Sequence, residues 1–112
     1  MAGKFEIKQA KDGQYHFNLK AGNGQVILSS ELYTTKAACE NGIASVQKNA
    51  ADEARFERRE NKNGEPYFIL KAGNGQEIGR SEFYSGAAAC ENGIKSVATN
   101  APDAKIEDTT AA

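Results

Sequence analysis

The sequence predicts an α+β domain in which three strands and a helix are written twice and closed by one short strand. Three observations carry this. Phe5-Glu6 recurs as Phe56-Glu57, Leu19-Lys-Ala-Gly-Asn-Gly-Gln25 as Leu70-Lys-Ala-Gly-Asn-Gly-Gln76, and Ala37-Ala-Cys-Glu-Asn-Gly-Ile43 as Ala88-Ala-Cys-Glu-Asn-Gly-Ile94, always 51 residues apart and without a gap from Lys4 to about Ala101. A fixed period of this size makes the repeat the unit to explain. Within each copy, apolar residues alternate through short runs parted by glycine turns, then switch to a helical period. Finally, 112 residues suit one ordinary domain, whereas a copy of about 50 is marginal alone. The copies therefore share one core.

Lys4-Phe-Glu-Ile-Lys8 alternates apolar and charged residues, with Phe5 and Ile7 inward and Glu6 and Lys8 outward. Lys11-Asp-Gly13 supplies a turn, as Lys62-Asn-Gly64 does in the second copy. In Tyr15–Lys20, Phe17 and Leu19 share the inner face and His16, Asn18 and Lys20 the outer one. The second copy puts Phe68 and Leu70 inside and Tyr67, Ile69 and Lys71 outside. Gly22-Asn-Gly24 and Gly73-Asn-Gly75 mark tight hairpins, since Asn-Gly tolerates positive φ at both central positions. Gln25–Ser29 and Gln76–Arg80 form the third strands, with Ile27 and Ile78 inward.

Thr34 and Ser85 suit helix N-caps, and the helices are expected from about Thr35 to Lys48 and from Gly86 to Thr99. Cys39, Ile43, Val46 and Ala50 form one apolar stripe, with Ala38 and Gly42 beside it. Gly42 and Gly93 each cost roughly 1 kcal/mol against Ala in a helix interior, which close packing on a sheet would explain. Asn49 and Asn100 fit the helix exits, where Asn tolerates a left-handed conformation. Ala54–Arg58 opens the second copy and is also placed to close the first; Lys105-Ile-Glu107 is its truncated counterpart. Repeat 1 is thus 4–53, repeat 2 is 55–107, and 108–112 reads as a frayed tail. Two helices on one face of a meander sheet bury both stripes. Where the copies differ, as at His16/Tyr67, Ile7/Arg58 and Leu28/Gly79, the halves are expected to present unequal surfaces.

The formal net charge is −1, without the overall basic footprint that favours nucleic acid or anionic membrane. No apolar run approaches the ~20 residues that span a bilayer. Met1-Ala-Gly-Lys-Phe-Glu carries no apolar signal-peptide core, so a cytoplasmic protein is expected. Cys39 and Cys90 hold the same position in the two copies and read as free thiols in helices.

The runs Leu-Lys-Ala-Gly-Asn-Gly-Gln, Ser-Glu-x-Tyr and Ala-Ala-Cys-Glu-Asn-Gly-Ile-x-Ser-Val, present in both copies between Lys4 and Glu107, resemble the YegP-like family of small bacterial proteins in its duplicated form. The resemblance implies two β(3)-α-β units sharing one antiparallel sheet, two helices on one face, and the last strand of each unit exchanged into the other. It implies a monomer with internal pseudo-two-fold symmetry, and lends no catalytic residues.

The Gly-Asn-Gly loops lack the strand–loop–helix setting and Lys-Ser/Thr of a phosphate loop, and read as hairpin turns. Cys39 and Cys90 sit on the apolar stripe as small hydrophobes. Two cysteines and one histidine are poor material for zinc; no metal, cofactor or catalytic residue is expected. Glu31 and Glu82 stand near helix starts, where negative charge is favoured. An enzyme would have to use Glu40, Glu91, Asn41, Asn92 and the cysteines at the interface between copies. The surface with most promise is the open sheet face, carrying Lys8, His16, Asn18, Lys20, Arg59, Tyr67, Ile69 and Lys71, with Glu6 and Glu57 diluting the charge. Basic and aromatic residues on an open sheet suit a single-stranded nucleic acid; the plainer expectation is a small non-enzymatic protein binding some partner through this face or its loops.

Overall fold

Four hairpin turns set the sheet. In the computed structural model, which describes residues 3–110, β1 (Lys4–Gln9), β2 (Tyr15–Lys20) and β3 (Val26–Ser29) form an antiparallel meander, and β4 (Phe56–Glu60), β5 (Pro66–Lys71) and β6 (Glu77–Arg80) repeat it. The β2–β3 turn is a three-residue loop. Ala21 N–H donates to Gln25 O at 2.9 Å and Gly24 N–H to Ala21 O at 2.9 Å. Only Gly24 has positive φ, at 85°, and Gly75 matches it; Asn23 instead accepts the Gln25 N–H on its side chain at 3.0 Å. The expectation of two positive-φ centres is thereby corrected: a type I turn with a left-handed glycine closes these hairpins.

α1 (Lys36–Asn49) and α2 (Ala87–Asn100) follow the third strands. The cap of α1 is Thr35, one residue later than expected, because its Oγ1 accepts from Ala38 N–H at 3.1 Å. α2 begins after Gly86, which has no side chain to cap with. The helix exits are right-handed. Asn49 and Asn100 turn their amides back, each donating to a carbonyl four residues earlier (Ser45 and Ser96) at 2.8 Å, which corrects the left-handed exit.

The sheet has seven strands in the order β4-β5-β6-β3-β2-β1-β7, with β7 at Lys105–Asp108. Five of the six pairings are antiparallel, but β7 runs parallel to β1, pairing Lys4 with Lys105 and Ile7 with Asp108. The last strand thus crosses to the other repeat, in one direction only. After α1 the chain makes a 3-10 turn at Glu53–Arg55 and enters β4 directly, so β4 opens repeat 2 and does not close repeat 1. Residues 108–110, part of the expected frayed tail, are held. Thr109 donates to Ile7 O through N–H at 3.1 Å and Oγ1 at 2.5 Å, and Thr110 N–H donates to the Asp108 carboxylate. Positions 111–112 lie outside the described residues.

The halves meet at one bridge, Ser29 to Arg80, which are equivalent positions, so the pseudo-two-fold axis passes there. α1 packs on β2, β5 and β6, and α2 on β3 and β5, so each helix reaches strands of the other copy. One core results, containing Phe5, Phe17, Leu19, Ile27, Cys39, Ile43 and Val46 with Phe56, Phe68, Leu70, Ile78, Cys90, Ile94 and Val97. Gly42 and Gly93 are needed for close approach: a Cβ on Gly42 would lie 2.5 Å from Tyr33 Oη and 3.0 Å from Phe17. The Leu28/Gly79 difference is internal rather than a surface feature, since Leu28 covers Gly79 at the axis.

Candidate partner-binding face of the sheet

Strand pairing sets the open face row by row. Glu107, Glu6, Asn18, Ser29, Arg80, Ile69 and Glu57 stand in one line across all seven strands. Phe17 and Phe68, one step along their strands, therefore share the opposite face, under the helices. Lys8 pairs with His16, Lys4 with Lys20, Arg59 with Tyr67 and Lys71 with Glu77. All seven expected residues, Lys8, His16, Asn18, Lys20, Arg59, Tyr67 and Lys71, lie on this one uncovered face.

Its charges are organised in two equivalent clusters. In the first half the Glu6 carboxylate sits 3.1 Å from Lys20 Nζ and 3.3 Å from Lys8 Nζ. Glu6 is only 7% exposed. The Lys20 ammonium, with Lys8, keeps its carboxyl below the ordinary carboxylate range against the opposing effect of burial. In the second half Glu57 lies 2.5 Å from Lys71 Nζ and pairs with Arg59, and its pKa is lowered by Lys71 first and Arg59 next. Each carboxylate fixes two cations. Counting strand residues of this face, Lys4, Lys8, Lys20, Arg59, Lys71, Arg80 and Lys105 stand against Glu6, Glu57, Glu77 and Glu107. A chain of net charge −1 thus gathers an excess of cations on one side, while Glu31 and Glu82 stand on the rim of the central cleft.

Two features were not foreseen from the sequence. Ile69 faces outward, between Glu57 and Arg80 in its row, yet is fully buried. Phe83, 52% exposed, meets Tyr67 edge-on with ring centroids 5.3 Å apart, and the Arg80 guanidinium lies 5.7 Å from the Tyr67 ring. The first half has Leu32, His16 and Ser29 at these places. The equivalence of Leu32 and Phe83, apolar just beyond the third strand, was the signal available for this patch.

The remaining candidates separate. Cys39 and Cys90 are buried free thiols; burial pushes Cys39 up to about 11 and raises Cys90 also. Glu91 pairs with Arg58, whose Nη2 lies 2.8 Å from Oε1, and Arg58 also reaches Glu53. Glu91 lines a cleft with Ala50, Phe56 and Ile94 that includes neither cysteine nor Glu40. Among the described residues, no three His, Cys, Asp or Glu side chains are gathered as a metal would need. Among the described residues no helix is long and apolar enough to cross a membrane.

The model of a domain of unknown function (DUF1508) matches twice, over residues 10–57 and 61–108. The UPF0339 protein MS1092 of Mannheimia succiniciproducens is 68% identical over 108 residues, 96% of each chain. The chain belongs to the UPF0339, YegP-like family. Another UPF0339 relative, YegP of Yersinia pestis, is 57% identical over 108 residues and 96% of each chain. The solution structure of the protein of unknown function yegP from E. coli superposes with TM-score 0.94 at 48% identity, covering all of this chain and 97% of that one. The UPF0339 protein SO3888 of Shewanella oneidensis gives 0.91 at 52% identity, covering 96% and 92%. The UPF0339 fold is therefore that of two DUF1508 repeats in one sheet with two helices, and this family carries no assigned activity.

Proposed function

We propose that this UPF0339 protein is a cytoplasmic, monomeric binding module without chemistry of its own, and that its open face takes an extended polyanion, single-stranded nucleic acid. The observation that supports the reading most is the excess of cations on the uncovered face of a chain that is slightly acidic overall. Phosphates lose their counterions to such a surface, and the affinity then falls with salt. Phe83 and Tyr67 add exposed ring surface on which bases stack, with Arg80 beside them. The paired glutamates hold the cations in fixed places and leave a surplus for the ligand.

The test is fluorescence anisotropy with a labelled single-stranded RNA 12-mer at low and physiological salt. Binding that weakens steeply with salt is expected. Phe83→Leu and Tyr67→His install residues related to those of the first half and should weaken RNA more than inorganic polyphosphate. Equal loss for both ligands would remove the stacking role, and no binding at low salt would end the reading.

A further inference from the structure

The two halves of the sheet end differently, and the first half shows what the second lacks. β1 and β4 are equivalent strands. Beside β1 lies β7, and just before it Ala104 is buried against α1, its carbonyl reached by Gln47. Beside the outer edge of β4 there is no strand among the described residues. Behind its edge a crevice of about 240 Å³ opens between β4 and α2, with Ala50, Phe56, Ile94 and Ala98 inside and Glu91 and Lys95 at the mouth. The cause is chain length. The residues that would form an exchanged strand for β4 are spent on joining α1 to β4.

We propose that the outer edge of β4 is a docking site for an extended peptide of another protein, added as an eighth strand parallel to β4. Main-chain hydrogen bonds supply affinity in such strand addition, and pockets for alternate side chains supply selectivity. The register of β7 gives the chemistry. Ala104 is buried just before the strand with Gln47 at its carbonyl, Ile106 stands opposite Phe5, and Asp108 stands opposite Ile7 and pairs with Lys36. On β4 the same places meet the Ala50–Ile94–Ala98 crevice, Phe56 and Arg58. The ligand is therefore small, apolar and acidic at successive alternate positions.

The sequence differences between the halves agree with this assignment. Ile7 becomes Arg58 and Ala44 becomes Lys95, so two cations appear at this edge, while Lys36, which holds Asp108 in the first half, becomes Ala87. In the free protein Glu91 and Glu53 occupy Arg58, and the peptide's acidic residue takes their place. Gln47 becomes Ala98, which removes a side chain from the crevice. The strand itself, Phe-Glu-Arg-Arg-Glu, is charged enough to discourage indiscriminate edge pairing, so selection falls to the crevice and to Arg58.

The experiment titrates isotope-labelled full-length protein with an acetylated peptide of sequence Asp-Ala-Lys-Ile-Glu-Asp-Thr-Thr, copied from residues 103–110, and follows backbone amide resonances. Saturable shifts confined to β4 and the facing turns of α2, with β1 and β2 unmoved, are expected. Ala98→Phe fills the crevice from the helix side and should weaken binding about tenfold, the loss of an apolar pocket. Changing the peptide's second Asp to Lys should weaken it on the parent protein but much less on Arg58→Ile. Absent shifts at millimolar peptide, or shifts that ignore both Ala98→Phe and the Asp-to-Lys change, would overturn the proposal. Because the open face plays no part in this titration, RNA binding can fail while strand addition succeeds.

Discussion

Leu28 occupies the space that Gly79 leaves empty. A Cβ on Gly79 would lie 2.7 Å from Leu28 Cδ2 and 2.8 Å from its Cγ. The two positions are equivalent in the repeat and flank the pseudo-two-fold bridge of Ser29 and Arg80. Two leucines would collide there and two glycines would leave a void, so the duplicated chain has one of each.

Gly79→Ala is accordingly expected to lower stability by about 1–3 kcal/mol, the usual cost of overpacking a filled core. Transposing the pair, Leu28→Gly with Gly79→Leu, should recover much of the combined loss of the single changes. Urea unfolding of the four proteins measures this as a double-mutant cycle. Strict additivity would show that the axis does not couple them.

Gly42 and Gly93 make room for tyrosine hydroxyls. Tyr33 stacks on Phe17 at 6.3 Å and Tyr84 on Phe68 at 6.2 Å, each with its Oη over a helix glycine. Gly42→Ala gains roughly 1 kcal/mol of helix propensity, but the clash should reverse that gain and leave the protein less stable. In a Tyr33→Phe background, where Oη is gone, the same substitution should cost less. Thermal melts of the four combinations decide it.

The thiols are expected to be inert. With Cys39 pushed up to about 11 and Cys90 raised by burial, the thiolate is scarce at neutral pH. Ellman titration should release little colour from the native protein and two equivalents after denaturation. Rapid labelling at pH 7 would overturn the placement of both side chains in the core.

The end of β7 should respond to acid. Asp108 Oδ2 lies 2.8 Å from Lys36 Nζ, and Lys36, helped by Thr110, brings the Asp108 carboxyl from 3.8 to about 2. A carboxylate depressed on folding contributes stability above its unfolded value that is lost as pH falls through the folded one. The protection factors of the Lys105–Thr109 amides, exchange rates corrected for their intrinsic pH dependence, should therefore fall between about pH 4 and pH 2, and Asp108→Asn should remove the step.

Cutting between Ala51 and Asp52 should yield halves that do not persist as folded monomers, because α1 leans on β5 and β6 and β1 needs β7. Two separately stable monomeric halves, seen by sedimentation and circular dichroism, would refute the shared core.

Much of this fold is legible in the sequence because local chemistry dictates it. Gly24 and Gly75 are needed for their turns, and the Cys39–Ile43–Val46–Ala50 stripe is fully buried. The seven outward residues also follow from alternation alone. What was not legible depends on neighbours remote in sequence. The parallel setting of β7 follows from where α2 releases the chain. The burial of Glu6 follows from Lys8 and Lys20 reaching it from the same face, and the shift of the cap to Thr35 from which hydroxyl reaches Ala38 N–H. The aromatic patch requires Phe83 to swing back onto β5, which no periodicity announces.

The parallel pairing of β1 and β7 also fixes how the molecule would bear a mechanical load. One end of the chain leads into the start of β1, the other leaves the end of β7, and the strands are joined by bonds such as Lys105 N–H to Gly3 O and Thr109 N–H to Ile7 O. Pulling the ends apart slides the two strands along each other, so these bonds share the force at once rather than opening one after another. Stretching between its ends should therefore meet a single high rupture, after which the hairpins peel apart at much lower tension.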